Sequence, residues 1–141
     1  MVPNITRGRR VYGLLAYLWG PGRREEHVDP HLVAAWDGAG DLADLEPVLR
    51  GDRYDVRHLT DLLEIPVRAG RNPPRTPVWH CSVRAHPSDP ILTDQQWSAI
   101  AADVLARVGL APPGDEQAVR WIAMRHGADH IHIVTTLVRQ D

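Results

Sequence analysis

The chain contains no lysine and no phenylalanine, and its only cysteine is Cys81. A single thiol excludes an intrachain disulfide framework and any cysteine-rich zinc module. No apolar run exceeds a few residues, which excludes a segment that crosses a bilayer as a helix. The opening Met1-Val2-Pro3-Asn4 lacks the basic stretch followed by an apolar one that marks a secretory signal. These absences predict a cytoplasmic protein without membrane association. All sixteen cationic side chains are arginine, which reads mainly as the coding bias that GC-rich DNA imposes.

What is present suits one folded unit. A length of 141 residues with 43% hydrophobic and 24% charged residues is enough to bury a core, so a single domain over 1–141 is expected. Charge is distributed in blocks. Residues 1–24 hold five arginines and no acid, 25–64 hold three arginines against eleven acids, and 65–75 hold three arginines and no acid. The net charge of −2 argues against a uniformly basic nucleic-acid binder, but the basic N-terminal block can still meet a polyanion.

Hydrophobic periodicity predicts alternating helices and strands. Residues 2–7 are too few to classify by period, though a short strand fits. Val11, Leu14, Leu15 and Leu18 recur at helical spacing within 9–19, and Gly20-Pro21-Gly22 stops that helix. Residues 31–36 read as a strand, 41–49 and 55–63 as two short helices parted at Gly51-Asp52, and 71–77 as a proline-rich loop. A strand over 78–85 follows. Thr93 with Gln96 forms a capping box ahead of the apolar stripe Trp97, Ile100, Ala101, Val104, Leu105 and Val108, with Gly109 at the C-terminal cap. Strands over 118–125 and 130–138, separated by Gly127-Ala128-Asp129, complete a hairpin. The fold class is therefore α+β, an antiparallel sheet with helices packed on it.

Eight histidines are many for this length, and three of them fall within His126-Gly127-Ala128-Asp129-His130-Ile131-His132. Strand alternation puts His130 and His132 on one face, and His126 can reach across the short turn as a third metal ligand. Three imidazoles leave coordination positions open, as a catalytic site requires.

The run HIHIV with its preceding histidine resembles the metal motif of the relaxase/mobilisation nucleases, the HUH endonuclease superfamily. Gly13-Leu14-Leu15-Ala16-Tyr17-Leu18 resembles that family's first motif, and RREEHVDPHLVAAWDG (23–38), VWHCSVRAH (78–86) and LTDQQWSAIA (92–101) resemble its actinobacterial plasmid-mobilisation branch, in the same order. The resemblance implies an HUH relaxase-like fold and site-specific nicking and rejoining of single-stranded DNA at a plasmid transfer origin. It implies a tyrosine nucleophile that leaves a 5′-phosphotyrosyl link, metal held by His126, His130 and His132, and accessory mobilisation proteins as partners. Magnesium or manganese is the cofactor it implies, while three imidazoles equally suit zinc, copper or nickel.

Periodicity leaves Tyr12 and Tyr17 on opposite flanks of the helix and does not choose between them; the family pattern places the nucleophile at Tyr17. Histidine nucleophiles in some relatives keep His27 and His31 as candidates. Glu25, Glu26, Asp29 and His31 are candidate bases for a phenol whose unperturbed pKa is about 10. Arg7, Arg9, Arg10, Arg23 and Arg24 are candidate phosphate contacts. His80 and His86 are expected to be structural or DNA-contacting, and Trp19 and Trp79 to pack in the core. Relaxase domains of this family normally run on past the metal strand, so a truncated N-terminal part of a longer relaxase, or a naturally short member, is expected. Three other readings use the same residues: a non-catalytic single-stranded DNA-binding module, a replication-initiator HUH nuclease, and an unrelated metal-dependent hydrolase.

Overall fold

Seven strands and four helices make up residues 1–141, all of which the computed structural model describes. Strand β1 (Val2–Gly8) leads to helix α1 (Val11–Leu18) and strand β2 (His31–Ala35). A one-turn helix α2 (Leu42–Leu45) precedes the hairpin β3 (Val48–Arg50) and β4 (Arg53–Asp55). Helix α3 (Arg57–Ala69), strand β5 (Val78–Arg84), helix α4 (Asp94–Arg107) and the hairpin β6 (Val119–Gly127) and β7 (His130–Arg139) follow. Five strands form one sheet in the order β1-β5-β7-β6-β2, with every neighbouring pair antiparallel. The protein is thus α+β. No helix is long and apolar enough to cross a membrane.

Register assigns the two faces of the sheet, because directly paired residues project to the same side. Thr6, His80, Val134 and Ile122 form one cross-strand row, and Asn4, Ser82, His132 and Met124 the next. Helix α3 covers part of this face, where Thr136 Oγ1 donates to the Leu63 carbonyl at 3.0 Å. The opposite face carries His31 and Arg125, which pair with each other and both meet Asp94 at the start of α4. Helices therefore pack on both faces. The central strands β6 and β7 are buried on both sides, and Trp97, Leu105, Leu15, Leu63, Ile131 and Ile133 are completely covered. Such side chains contribute roughly 1.5–3 kcal/mol each on burial.

The capping box at Thr93 and Gln96 forms as expected, with both reciprocal hydrogen bonds in place, and α1 buries Val11, Leu15 and Leu18. The segment 41–64 departs from expectation. The helix expected over 41–49 is a single turn, because Pro47 follows it and has no N–H to extend the ladder. Gly51 (φ +64) and Asp52 turn a β-hairpin instead of separating two helices. The second helix runs beyond 63 to Ala69, through Pro66. The Leu62 carbonyl, which would accept from an N–H at Pro66, accepts instead from Arg120 Nη1 at 2.7 Å. A tertiary contact thus satisfies the group that proline orphans.

Candidate metal centre

The end of α1 builds one wall of the site. The last carbonyls of a helix have no partner inside it, and here two imidazoles serve that end. Nδ1 of His126 donates to the Leu18 carbonyl at 2.8 Å, and Nδ1 of His27 donates to the Gly20 carbonyl at 3.0 Å. A carbonyl can only accept, so both rings carry a proton on Nδ1, and in His126, which burial holds neutral, Nε2 is bare. The His27 ring stacks on His126 with centroids 3.6 Å apart, and Tyr17 meets His27 edge-on at 4.9 Å.

The second wall is the β6–β7 hairpin. A register irregularity between Met124 and Gly127 swings His126 toward the row of His132, and Gly127 pairs with His130. The position of the His130 ring needs glycine here: a Cβ at position 127 would lie 2.6 Å from Cε1 of His130. His130 Nδ1 donates to the Asp129 carboxylate at 2.8 Å, which leaves its Nε2 as the ligand atom. His132 Nε2 lies 2.9 Å from His126 Nε2, and His132 Nδ1 lies 2.8 Å from His80 Nε2. One nitrogen from each of His126, His130 and His132 lies within 4.8 Å of the other two, close enough to hold one metal ion.

The donor set fits a cation. Burial lowers the pKa of His126 to about 4 and pushes His132 lower still, with the neighbouring imidazoles adding to the effect. Burial also lowers His80. Metal binding requires neutral imidazole, so these ligands bear lone pairs throughout the neutral range. The 2.9 Å between two Nε2 atoms is close to the separation of adjacent ligands on an octahedral ion with bonds of about 2.1 Å. Asp129 and the Leu18 carbonyl already orient two of the three rings.

The other candidates divide by position. Tyr17 is 44% exposed at the histidine end of α1, whereas Tyr12, 53% exposed, lines a hollow with Arg9, Arg10, Glu64 and Pro77 at the opposite end of that helix. Glu26 accepts from the Arg24 backbone N–H at 2.8 Å, and its other oxygen lies 3.8 Å from His27 Nε2. Glu25 is exposed and holds a left-handed backbone (φ +58), as does Asp29 (φ +48). Two such residues cost on the order of 1–3 kcal/mol each. The loop that carries them is held by Val28 N–H, which donates to the His126 carbonyl at 2.8 Å.

His31 does not join the cluster. Its Nε2 is bound to Asp94 at 2.8 Å on the α4 side of the sheet, and this ties it to the opposite face. Arg23 and Arg24 lie in the loop beside Glu26 and His27. Arg7 is engaged with the Thr76 carbonyl, and Arg9 and Arg10 sit at the far end of α1. Trp19 and Trp79 are buried in the core.

The sequence keeps His27 only as a candidate nucleophile and His80 only as structural or DNA-contacting, and neither reading places them beside the three ligands. His80 lies beside His132 because β5 pairs with β7, a non-local pairing that no local pattern announces. His27 reaches His126 only through an irregular loop. Compared with protein-family models, curated proteins and solved structures, the chain matches none.

Proposed function

We propose that the chain is a metal-dependent nuclease that nicks and rejoins single-stranded DNA at a plasmid transfer origin, using the HUH relaxase chemistry that its motifs resemble. The observation that carries this reading is the exposed Tyr17, set against His27, which in turn stacks on a ligand of a three-imidazole centre. His126, His130 and His132 would hold a divalent cation, magnesium or manganese in this reading, which would supply Lewis-acid stabilisation of the charge developing on the scissile phosphate.

Tyr17 Oη attacks the phosphorus as the bond to the 3′ oxygen breaks, giving a 5′-phosphotyrosyl ester and, after protonation from water, a free 3′-hydroxyl. His27, whose Nδ1 is held by the Gly20 carbonyl, takes the phenol proton on Nε2. The Glu26 carboxylate, 3.8 Å away, stabilises the resulting imidazolium. Arg23 and Arg24 contact the phosphates that flank the scissile bond. The ester conserves the energy of the broken bond, so the 3′-hydroxyl can attack it in reverse and rejoin the strand. Accessory mobilisation proteins would deliver the origin DNA in the correct strand orientation.

The test uses a random-sequence pool of single-stranded oligonucleotides with manganese, resolved on a denaturing gel. The expected product is a covalent protein–DNA adduct, absent in Tyr17→Phe and His132→Ala and retained in Tyr12→Phe. An adduct that persists in Tyr17→Phe rejects the nucleophile. Cleaved DNA without any adduct replaces the relaxase reading with a metal-dependent hydrolase, and binding without cleavage replaces it with a non-catalytic DNA-binding module.

A further inference from the structure

His132 differs from the other two ligands in one respect. The Leu18 carbonyl and the Asp129 carboxylate fix the protons of His126 and His130 on Nδ1, because both partners can only accept. The partner of His132 Nδ1 is Nε2 of His80, and a neutral imidazole nitrogen either donates or accepts. The chain continues outward, since His80 Nδ1 lies 3.3 Å from the Thr6 hydroxyl, which can also do both.

We propose that His80 is a positioning residue for the metal centre, and that His132, His80 and Thr6 form a hydrogen-bond chain whose direction reverses when a cation binds His132 Nε2. The proton positions of the metal-free chain follow in order. Nε2 of His126 is bare, so the 2.9 Å contact requires the proton of His132 on its Nε2. Nδ1 of His132 is then bare and accepts from Nε2–H of His80 at 2.8 Å. Nδ1 of His80 is bare in turn and accepts from the Thr6 hydroxyl.

A cation on His132 Nε2 needs that lone pair. The proton of His132 moves to Nδ1 and is donated to His80 Nε2, and the proton of His80 moves to Nδ1 and is donated to Thr6 Oγ1. Both rings exchange tautomers and the hydroxyl turns from donor to acceptor. No proton is gained or lost overall, and neither ring has to move. His80 thereby gives His132 the orienting acceptor that Asp129 gives His130. The rings are linked across paired strands, with Ser82 opposite His132 and Thr6 opposite His80, so the sheet itself sets the spacing.

This inference rests on the metal-binding reading of the three histidines, and it is independent of the nucleolytic one. Its test is long-range proton–nitrogen correlation NMR on the full chain with ¹⁵N-labelled histidine at pH 7.5, without metal and with saturating Zn²⁺ as a diamagnetic probe. Metal-free protein is expected to show His132 and His80 both protonated on Nε2; with zinc, both are expected to be protonated on Nδ1, with His126 and His130 on Nδ1 throughout. A His132 already protonated on Nδ1 without metal, or a His80 that zinc leaves unchanged, overturns the chain while leaving the metal site standing. Failure of zinc to bind the wild-type protein removes both. His80→Ala is expected to weaken zinc by about ten- to a hundredfold, the usual loss for an orienting partner. His80→Gln, whose amide can donate or accept, should recover most of that loss. Zinc affinity in His80→Ala equal to wild type would likewise overturn the assignment.

Discussion

The two faces of the sheet each carry histidine, and the pKa values on the two faces shift in opposite directions. On the α4 face His31 lies between the Asp29 carbonyl and the Asp94 carboxylate, and Arg125 binds the second oxygen of Asp94 at 2.8 Å. Burial works against protonation of His31, but those two acceptors outweigh it and raise its pKa. On the α1 and α3 face His80, His126 and His132 meet carbonyls, a hydroxyl and one another, and burial lowers all three. Burial and partners together set the direction. The Asp94 carboxylate and the Asp29 carbonyl raise His31 and make it a latch to α4, while burial among carbonyls and other imidazoles lowers His126 and His132 and keeps them bases that can ligate metal.

The largest test of this contrast removes a ligand. His132→Ala should weaken zinc binding, followed by calorimetry, by more than about a hundredfold, beyond the loss typical of an orienting partner. His31→Gln, on the other face, should leave it unchanged; equal losses in both variants would dissolve the distinction.

Acid should also act on the faces differently. The buried histidines have folded pKa values below the unfolded value of about 6.5, so the unfolded state takes up more protons as pH falls below it. Metal-free protein should therefore lose stability steadily from about pH 6.5 toward 4, seen as a falling urea midpoint. Saturating zinc should blunt that loss near the top of the range. A midpoint flat across this window would mean the cluster is not buried in neutral form.

A smaller effect is expected at the turn. Gly127→Ala forces the His130 ring aside, because the atom it meets at 2.6 Å is a side-chain carbon rather than backbone. Zinc affinity should drop about tenfold with little change in the urea midpoint. Unchanged affinity would show that His130 is not held where the structure puts it.

The smallest effect belongs to the latch. His31 is partly exposed, so its pair with Asp94 is worth only about 0.5 kcal/mol. A raised folded pKa means this contribution is complete below about pH 6.5 and fades as pH rises through the folded value. His31→Gln should therefore cost about that much at pH 6 and nothing at pH 9. A cost that grows with pH would reverse the assignment.

Much of this fold is legible in the sequence. The stripe from Trp97 to Leu105 behind its Thr93 cap, the α1 stripe with its glycine-proline stop, and the β6–β7 hairpin form where local patterns place them. The segment 41–64 is not legible in the same way, because Val48-Leu49-Arg50 is short enough to suit helix or strand, and the carbonyl that Pro66 orphans in α3 is satisfied by Arg120 from β6. At the site, alternation alone puts His130 and His132 on one face. His27 and His80 cannot be read this way, since each arrives from an element distant in sequence.

The sequence by itself determined the spacing of the three clustered histidines, the helix that ends beside them and the glycine that makes room for the His130 ring, because alternation, periodicity and turn chemistry are local properties. Only the tertiary structure decided that the pKa of His31 rises while those of His80, His126 and His132 fall, and that Tyr17 rather than Tyr12 lies at the cluster. Those outcomes depend on burial and on which acceptor faces each ring, and both are fixed by strand order and helix packing across the sheet.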